Sequence, residues 1–497
     1  MSSHAHNYLP DDGVTDHQNP LEAYQPSIND EFLVQTEQGV FAQPGTDALI
    51  SQLADMSVQQ LHNLQLAVNS EIRRAGITFT IYSEGENIDR PWPLDAIPRI
   101  IEASEWEATE KGLIQRLKAL NCFLADIYGQ QNILHEGIIP ATLIETSENF
   151  CKPCIGARPA LDVWAHICGT DLVRDTSGSF RVLEDNLRVP SGVSYVLENR
   201  RVMKRVAPEM FANGSVLPVD DYTSDLKTML QSLSPNDSAN IAVLTPGIYN
   251  SAYFEHAYLS REIGALLVEG RDLVVSDKDG FVYADTIQGP QRIDVIYRRI
   301  DDKYMDPECF LPHSTLGVRG LMRAWREGKV GMANAPGTGV ADDKVIYSYV
   351  PEMINYYLNE TPLINNVDTY RCFDDHSLAY VLDNIQDLVV KPANESGGYG
   401  MLMGPDSTRQ ERRQFYRLLN ENPRNYIAQP VVQLSTCPTV TGPGLAARHV
   451  DLRPYVIQGE KSSVTTGGLT RVALRDGSLV VNSSQGGGSK DTWVVKC

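Results

Sequence analysis

The stretch GTDLVRDTSGSFRVLEDNLRVPSG, residues 169 to 192, sets two short apolar runs, LV and FRVL, on either side of the polar DTSGS. Apolar runs around a Gly-Ser turn are the grammar of a β-hairpin. If Thr176 to Ser179 form a four-residue loop, Val173 pairs with Val182 and Asp171 falls opposite Glu184. Opposed residues share a face, as do residues two apart on one strand. Asp171, Glu184 and Asn186 therefore converge, whereas Asp185 points the other way. Two carboxylates and an amide oxygen, with no thiol or imidazole among them, suit Mg2+ or Mn2+ completed by water and phosphate oxygens. A solvated acidic hairpin end neutralised by Arg188 is the competing reading.

A second stretch bears on that choice. LVVKPANESGGYG, residues 388 to 400, is an apolar run ending in Lys391, followed by Gly397, Gly398 and Gly400. Glycines let backbone N–H groups close on an anion while a lysine ammonium supplies charge. A strand end with a Gly-rich turn would read the same way. The order excludes a P-loop, in which the lysine follows the glycines. It also excludes a protein kinase: the nearest catalytic string, His449-Val450-Asp451-Leu452, has Val456 where the asparagine should stand. An oxygen-ligand hairpin and a lysine-glycine grip are the two halves of a nucleoside triphosphate site.

The chain as a whole sets the bounds. Its 497 residues can bury more than one core, and 42% hydrophobic content excludes global disorder. No apolar run approaches a membrane span, and MSSHAHNYLPDDG lacks the basic start and apolar core of a signal peptide. With eight scattered cysteines, reduced thiols and a cytoplasmic location are expected. The net charge of −20 disfavours nucleic acid and anionic membrane as partners. Cys151 and Cys154 in CKPC, with His166 and Cys168 downstream, match no common zinc spacing, and coincidence competes with a metal or redox role.

Along the chain, residues 1–40 are polar, with Pro10, Pro20 and Pro26, and read as a flexible arm. Residues 41–150 read as mostly helical. The strongest helix begins at Ser104, with Glu107 completing a capping box, and puts Leu113, Leu117, Leu120, Leu124 and Ile127 on one stripe. A less regular helical region precedes Gly76. Between 236 and 335, IAVLTPG, AYFEHAYLSREIG, ALLVEG and IDVIYRR alternate strand and helix, which implies a Rossmann-like parallel unit with ligands at loops such as TPGIYNS. Beyond 336 the pattern is α+β.

A strand lysine before a glycine loop, an earlier lysine and an acid-x-Asn pair together resemble the ATP-grasp fold. The acids come before Lys344 and Lys391, and so the chain resembles the circularly permuted ATP-grasp family (type 2), which includes glutathionylspermidine synthetase-like enzymes. The resemblance runs from about Gly76 onward, through PWPLDAIPRIIEASEW, VLEDNLRVPSGVSYVLENR, LTPGIYNSAYFEH, VIYRRIDD, GTGVADDK, GGYG, RHVDLRPYV and GGLTRVAL. It implies a permuted ATP-grasp segment over 151–235 holding the metal hairpin, a pre-ATP-grasp unit over 236–335 and nucleotide-binding subdomains over 336–497.

The resemblance also implies an ATP-dependent carboxylate-amine ligase working through an acylphosphate, with ATP and Mg2+ (or Mn2+) as cofactors. Its partners would be a small carboxylate and an amine, such as an amino acid or peptide. A small-molecule phosphotransferase and a nucleotide-sensing scaffold are the rival readings. Lys344 and Lys391 would be the ATP lysines, and the loop Ser396, Gly397, Gly398, Tyr399 and Gly400 would cover the phosphates. Gln429 would lie in the hinge strand at adenine, Arg453 would face phosphate, and Asp171, Glu184 and Asn186 would hold the metal. Relatives carry an arginine two residues before the first metal aspartate, where this chain has Gly169. Arg298 or its neighbour Arg299 would line the pocket while the other pairs with Asp301 or Asp302. Arg471 would bind a carboxylate or acylphosphate, or pair with the metal acids. GGGSKDTW, with Lys490, is either a second anion loop or a loose tail.

Overall fold

Burial of helix Ala103–Ile127 organises one side of the protein. Its stripe Leu113, Leu117, Leu120, Leu124 and Ile127 is removed from solvent and packs with Trp164, Leu452 and Val456 in the largest apolar cluster. The helix starts two residues earlier than the capping signal implies. Strand Leu94–Glu102 runs directly into it, so Ser104 lies inside the first turn, and no side chain caps the end. Helix Val58–Ala75 does carry a capping box, Ser57 with Gln60, and ends on Gly76 at φ 66°, the left-handed conformation that stops helices on glycine. The computed structural model describes residues 19–83, 86–212, 214–394, 400–442, 444–479, 481–482 and 486–496.

Among these residues nine strands form one large sheet. Its path runs Ser462–Val464, Tyr455–Gln458, Ile167–Arg174, Gly444–Arg453, Leu469–Val472, Gly488–Val495 and Leu94–Glu102. Phe180–Asn186 pairs alongside Ile167–Arg174, and Thr436–Thr441 alongside Gly444–Arg453. Segments from the first and last hundred residues thus meet in one sheet, Leu94–Glu102 running parallel to Gly488–Val495. The C-terminal segment is neither an anion loop nor a loose tail. Lys490 is buried in that strand, with its ammonium donating to Asp95, to Ile97 O at 3.1 Å and to Pro438 O at 2.8 Å.

A second, parallel sheet has the order Gly331–Ala333, Val295–Arg298, Ile241–Leu244, Leu266–Val268, with helix Tyr253–Ile263 crossing between its last two strands. A third, antiparallel sheet of Tyr370–Arg371, Tyr426–Pro430, Leu388–Pro392 and Leu402–Met403 has its own core around Val381, Val390, Leu419 and Ala428. It carries Lys391 and Gln429.

The N-terminal segment departs from the flexible-arm expectation from residue 19 onward. Tyr24 and Phe32 are buried, and Asp30 bridges to Thr436. Glu31 is anchored by Arg99 and Arg174; burial works against its charge, but the two guanidiniums hold its carboxyl down at about 2. Residues 41–150 hold strands Thr78–Ser83, Glu86–Pro91 and Leu94–Glu102 in addition to helices. Among the described residues, no helix is long and apolar enough to cross a membrane.

Candidate functional site

The acidic hairpin closes through a tighter turn than a four-residue loop, Asp175 N–H donating to Ser179 O at 3.0 Å across three residues. Asp175 accepts from the backbone N–H groups of Ser177 at 2.9 Å and Ser179 at 3.1 Å, and Gly178 takes φ 81°. The last ladder pair is Arg174 with Phe180, so Val173 faces Arg181 and not Val182. The ladder then shifts between Asp171 and Leu172, with Leu183 as the extra residue, and this bulge restores Asp171 opposite Glu184 and Gly169 opposite Asn186.

The two faces of strand Phe180–Asn186 are chemically distinct. Asp185 is buried on one, held by Arg116 at 2.7 Å and by the Thr170 hydroxyl at 3.0 Å. Glu184 lies on the other, 3.2 Å from Lys344 Nζ and 3.9 Å from Arg453. Asp171 accepts from Arg453 and, at 2.7 Å, from Arg471. Burial alone would raise the Asp171 carboxyl, but these two guanidiniums hold it below the usual carboxylate range. Asn186 donates its Nδ2 to Gly169 O at 3.1 Å, which leaves its Oδ1 as the ligand-type atom. Arg188 is not the neutralising partner of these acids; it lies between Asp301 and Asp342.

These groups open into a single cleft. Asp171, Glu184, Lys344, Lys391, Gln429 and Arg471 all line it. Lys344 opens helix Lys344–Tyr347, whose cap Asp343 accepts from Val345 N at 2.8 Å. Its own N–H donates to Ala393 O, tying it to the end of the Lys391 strand. Lys391 Nζ donates to Gln429 Oε1 at 2.7 Å. Burial pulls the Lys391 ammonium down to about 8, with Glu184 opposing and Lys344 adding to the shift. Val389, Met401, Met403, Val431, Leu479 and Val481 form the apolar part of the wall, of the kind that takes a flat ring system.

An adjoining pocket shares Glu184, Arg471 and Asn482 with this cleft and adds Asn186, Arg453, Trp92 and Tyr195. Ser251 from TPGIYNS also borders it. Gly169 has a steric reason. A Cβ there would lie 3.3 Å from Arg453 Cδ and 3.2 Å from Pro190 Cβ, so the glycine makes room for the Arg453 stem on its way to Asp171.

Arg298 is not brought to the cleft. It is fully buried, donates to the carbonyl oxygens of Asn334, Ile300 and Ala335 and pairs with Asp302 at 2.9 Å, so all its donors are spent on the parallel sheet's own loops. Arg299 is buried too, against Glu255 at 3.0 Å. Ser396, Gly397, Gly398 and Tyr399 lie outside the described residues; Gly400, at φ 68°, is within them. Among the described residues no three His, Cys, Asp or Glu side chains gather as a metal cage. Cys151, Cys154, Cys168 and His166 therefore form no four-ligand site. Sequence reasoning missed Asp451, which faces Arg471 directly across the ladder and lines the cleft. Burial, together with the nearby Asp171, pushes its carboxyl up despite Arg471. Its position two residues before Arg453 on one strand was the available signal.

The family model described as circularly permuted ATP-grasp type 2 matches residues 98–473. An uncharacterized protein of Synechocystis sp. is 55% identical over 96% of this chain and 99% of its own length. A Frankia casuarinae protein named "Putative glutamate--cysteine ligase 2-2" is 40% identical over 96% of this chain, which spans 55% of that longer protein. Among solved structures, a glutathione synthetase-like effector from Globodera pallida is similar in fold, with a TM-score of 0.59, 12% identity and coverage of 88% of this chain and 98% of the other.

Proposed function

This chain belongs to the circularly permuted ATP-grasp type 2 family, and on that premise we propose that it is an ATP-dependent carboxylate-amine ligase. One observation carries the reading: Lys344, Lys391, Asp171, Glu184 and Arg471, drawn from segments up to 300 positions apart, line a single cleft with an apolar wall. Phosphoryl transfer requires mainly positioning and charge neutralisation, and this residue set supplies both. The ligase names of longer relatives support the same reaction class.

In this reading the adenine lies against the apolar wall beside Gln429, and Lys344 and Lys391 hold the phosphates. Asp171, Glu184 and Asn186 would hold Mg2+ or Mn2+, which when bound neutralises charge on the β- and γ-phosphate oxygens. The donor set fits a hard divalent cation, since all three candidates offer oxygen. A substrate carboxylate oxygen attacks the γ-phosphorus, and the bond from that phosphorus to the bridging oxygen breaks, releasing ADP. The amine nitrogen then attacks the acylphosphate carbon. The carbon–nitrogen bond forms, the carbon–oxygen bond to phosphate breaks, and the nitrogen gives up its extra proton. Arg453 and Arg471, at the junction of cleft and adjoining pocket, face the carboxylate and the charge that develops on it.

The test is incubation of the protein with ATP, Mg2+ and a cell extract, followed by mass analysis. New masses requiring all three, with an amine incorporated and ADP released in equal amount, are expected. A phosphorylated product with no amine would mean a phosphotransferase, and ATP binding without ADP release under any mixture would mean a sensor.

A further inference from the structure

The pocket beyond Arg453 does not end at the reacting centre. Ser251 lines both it and a surface groove between the end of helix Val58–Ala75 and helix Tyr253–Ile263. Phe254 in the groove stacks on Tyr195 in the pocket, with ring centroids 5.6 Å apart, so the two adjoin along this pair and at Ser251. The groove is lined by Gly76, Thr78, Ile248, Phe254, Tyr258 and, at its far side, Arg261.

Arg261 is one of several cations at the rim. Arg261 and Arg201 share Glu262, at 3.2 and 3.5 Å, and both lie over the Tyr258 ring. One turn along helix Val193–Val206 from Arg201, Arg205 shares Glu71 with Arg74 of helix Val58–Ala75. Four arginines, Arg74, Arg201, Arg205 and Arg261, therefore stand with three carboxylates, Glu71, Glu198 and Glu262, while the neighbouring Lys204 is matched by Asp220. A local excess of positive charge on a protein of net charge −20 is what an anionic ligand requires. The side chains of Arg74, Arg205 and Arg261 are 71%, 55% and 69% exposed, so their charge is available to solvent.

We propose that the acceptor substrate is an acidic peptide. Its terminal carboxylate enters the pocket at Arg453 and Arg471, and its body crosses Ser251 into the groove. Its side-chain carboxylates meet Arg261 and the arginines of the rim. The proposal rests on the ligase reading for the identity of the reacting end, but the groove and its charge stand on their own.

The experiment measures binding of an N-terminally fluorescein-labelled tetraglutamate, in the presence of Mg2+ and a non-hydrolysable ATP analogue, to the full chain and to the double variant R74E/R261E. Binding to the wild type that weakens with salt, and at least tenfold weaker binding to the variant with unchanged nucleotide affinity, is expected. No binding of tetraglutamate, equal binding by the variant, or equal binding of labelled tetralysine would overturn the proposal. If the nucleotide analogue itself does not bind, the ligase reading fails separately, and the peptide measurement without nucleotide still decides the groove.

Discussion

Asp171 and Glu184 are direct cross-strand partners whose charges are balanced from outside the hairpin: Asp171 by Arg453 and Arg471, Glu184 by Lys344 at 3.2 Å with Arg453 at 3.9 Å. Two like charges facing each other on a ladder destabilise it unless cations intervene. Here three cations converge on the pair from outside the hairpin. The acids are therefore held ready in the nucleotide-free protein.

Glu184→Gln is expected to lower ATP turnover by roughly 10²-fold, the scale on which one preorganised contact to developing charge acts. Asp185→Asn should behave differently, because Asp185 is locked to Arg116 in the interior. Breaking a buried ion pair costs about 3–5 kcal/mol. Thermal unfolding and ADP release, measured on both variants, separate the two: Glu184→Gln should lose activity with the smaller drop in unfolding temperature, and Asp185→Asn should show the larger drop.

Lys391→Met should weaken ATP binding by about 1.5–3 kcal/mol, the contribution of a charge-assisted hydrogen bond, or roughly ten- to a hundredfold in Kd. Titration calorimetry with ATP and Mg2+ reads this directly. Unchanged affinity would remove Lys391 from the phosphate site.

The depressed Lys391 ammonium also makes a pH prediction. With its folded value at about 8 and its unfolded value near 10.4, the folded protein binds fewer protons at this site between those limits. The site's contribution therefore destabilises the fold below pH 8 and is relieved as pH rises toward 10.4. Nucleotide affinity should follow the opposite course, falling as pH rises through 8 and the ammonium is lost. In the Lys391→Met variant that fall should be absent.

Because Lys344, Arg453 and Arg471 already balance the acids, metal removal should not unfold the protein. EDTA is expected to leave the unfolding temperature of the nucleotide-free protein unchanged, in contrast to structural metal sites. Mg2+ together with ATP should raise it, by an amount that grows with nucleotide concentration. Collapse of the fold in EDTA alone would show a structural ion.

The sequence by itself determined the local chemistry. Oxygen-bearing side chains on one face of a hairpin, a lysine at a strand end before glycines, and the stripe of helix Ala103–Ile127 follow from residue type and period 2 or 3.6, which one chain displays without its neighbours. It also determined the order of acids before lysines, and hence the permuted family. The tertiary structure decided everything that depends on which segments meet. The opposition of Asp171 and Glu184 is reached through a tighter turn and a bulge at Leu183, two shifts that cancel and that alternation cannot reveal. Arg298 and Lys490 look like anion ligands in sequence, but buried carbonyls and Asp95 claim them, because a cation's partner is set by packing. Asp451, marked in the sequence only by its place two residues before Arg453, becomes part of the cleft because strand Leu469–Val472 lays Arg471 beside it.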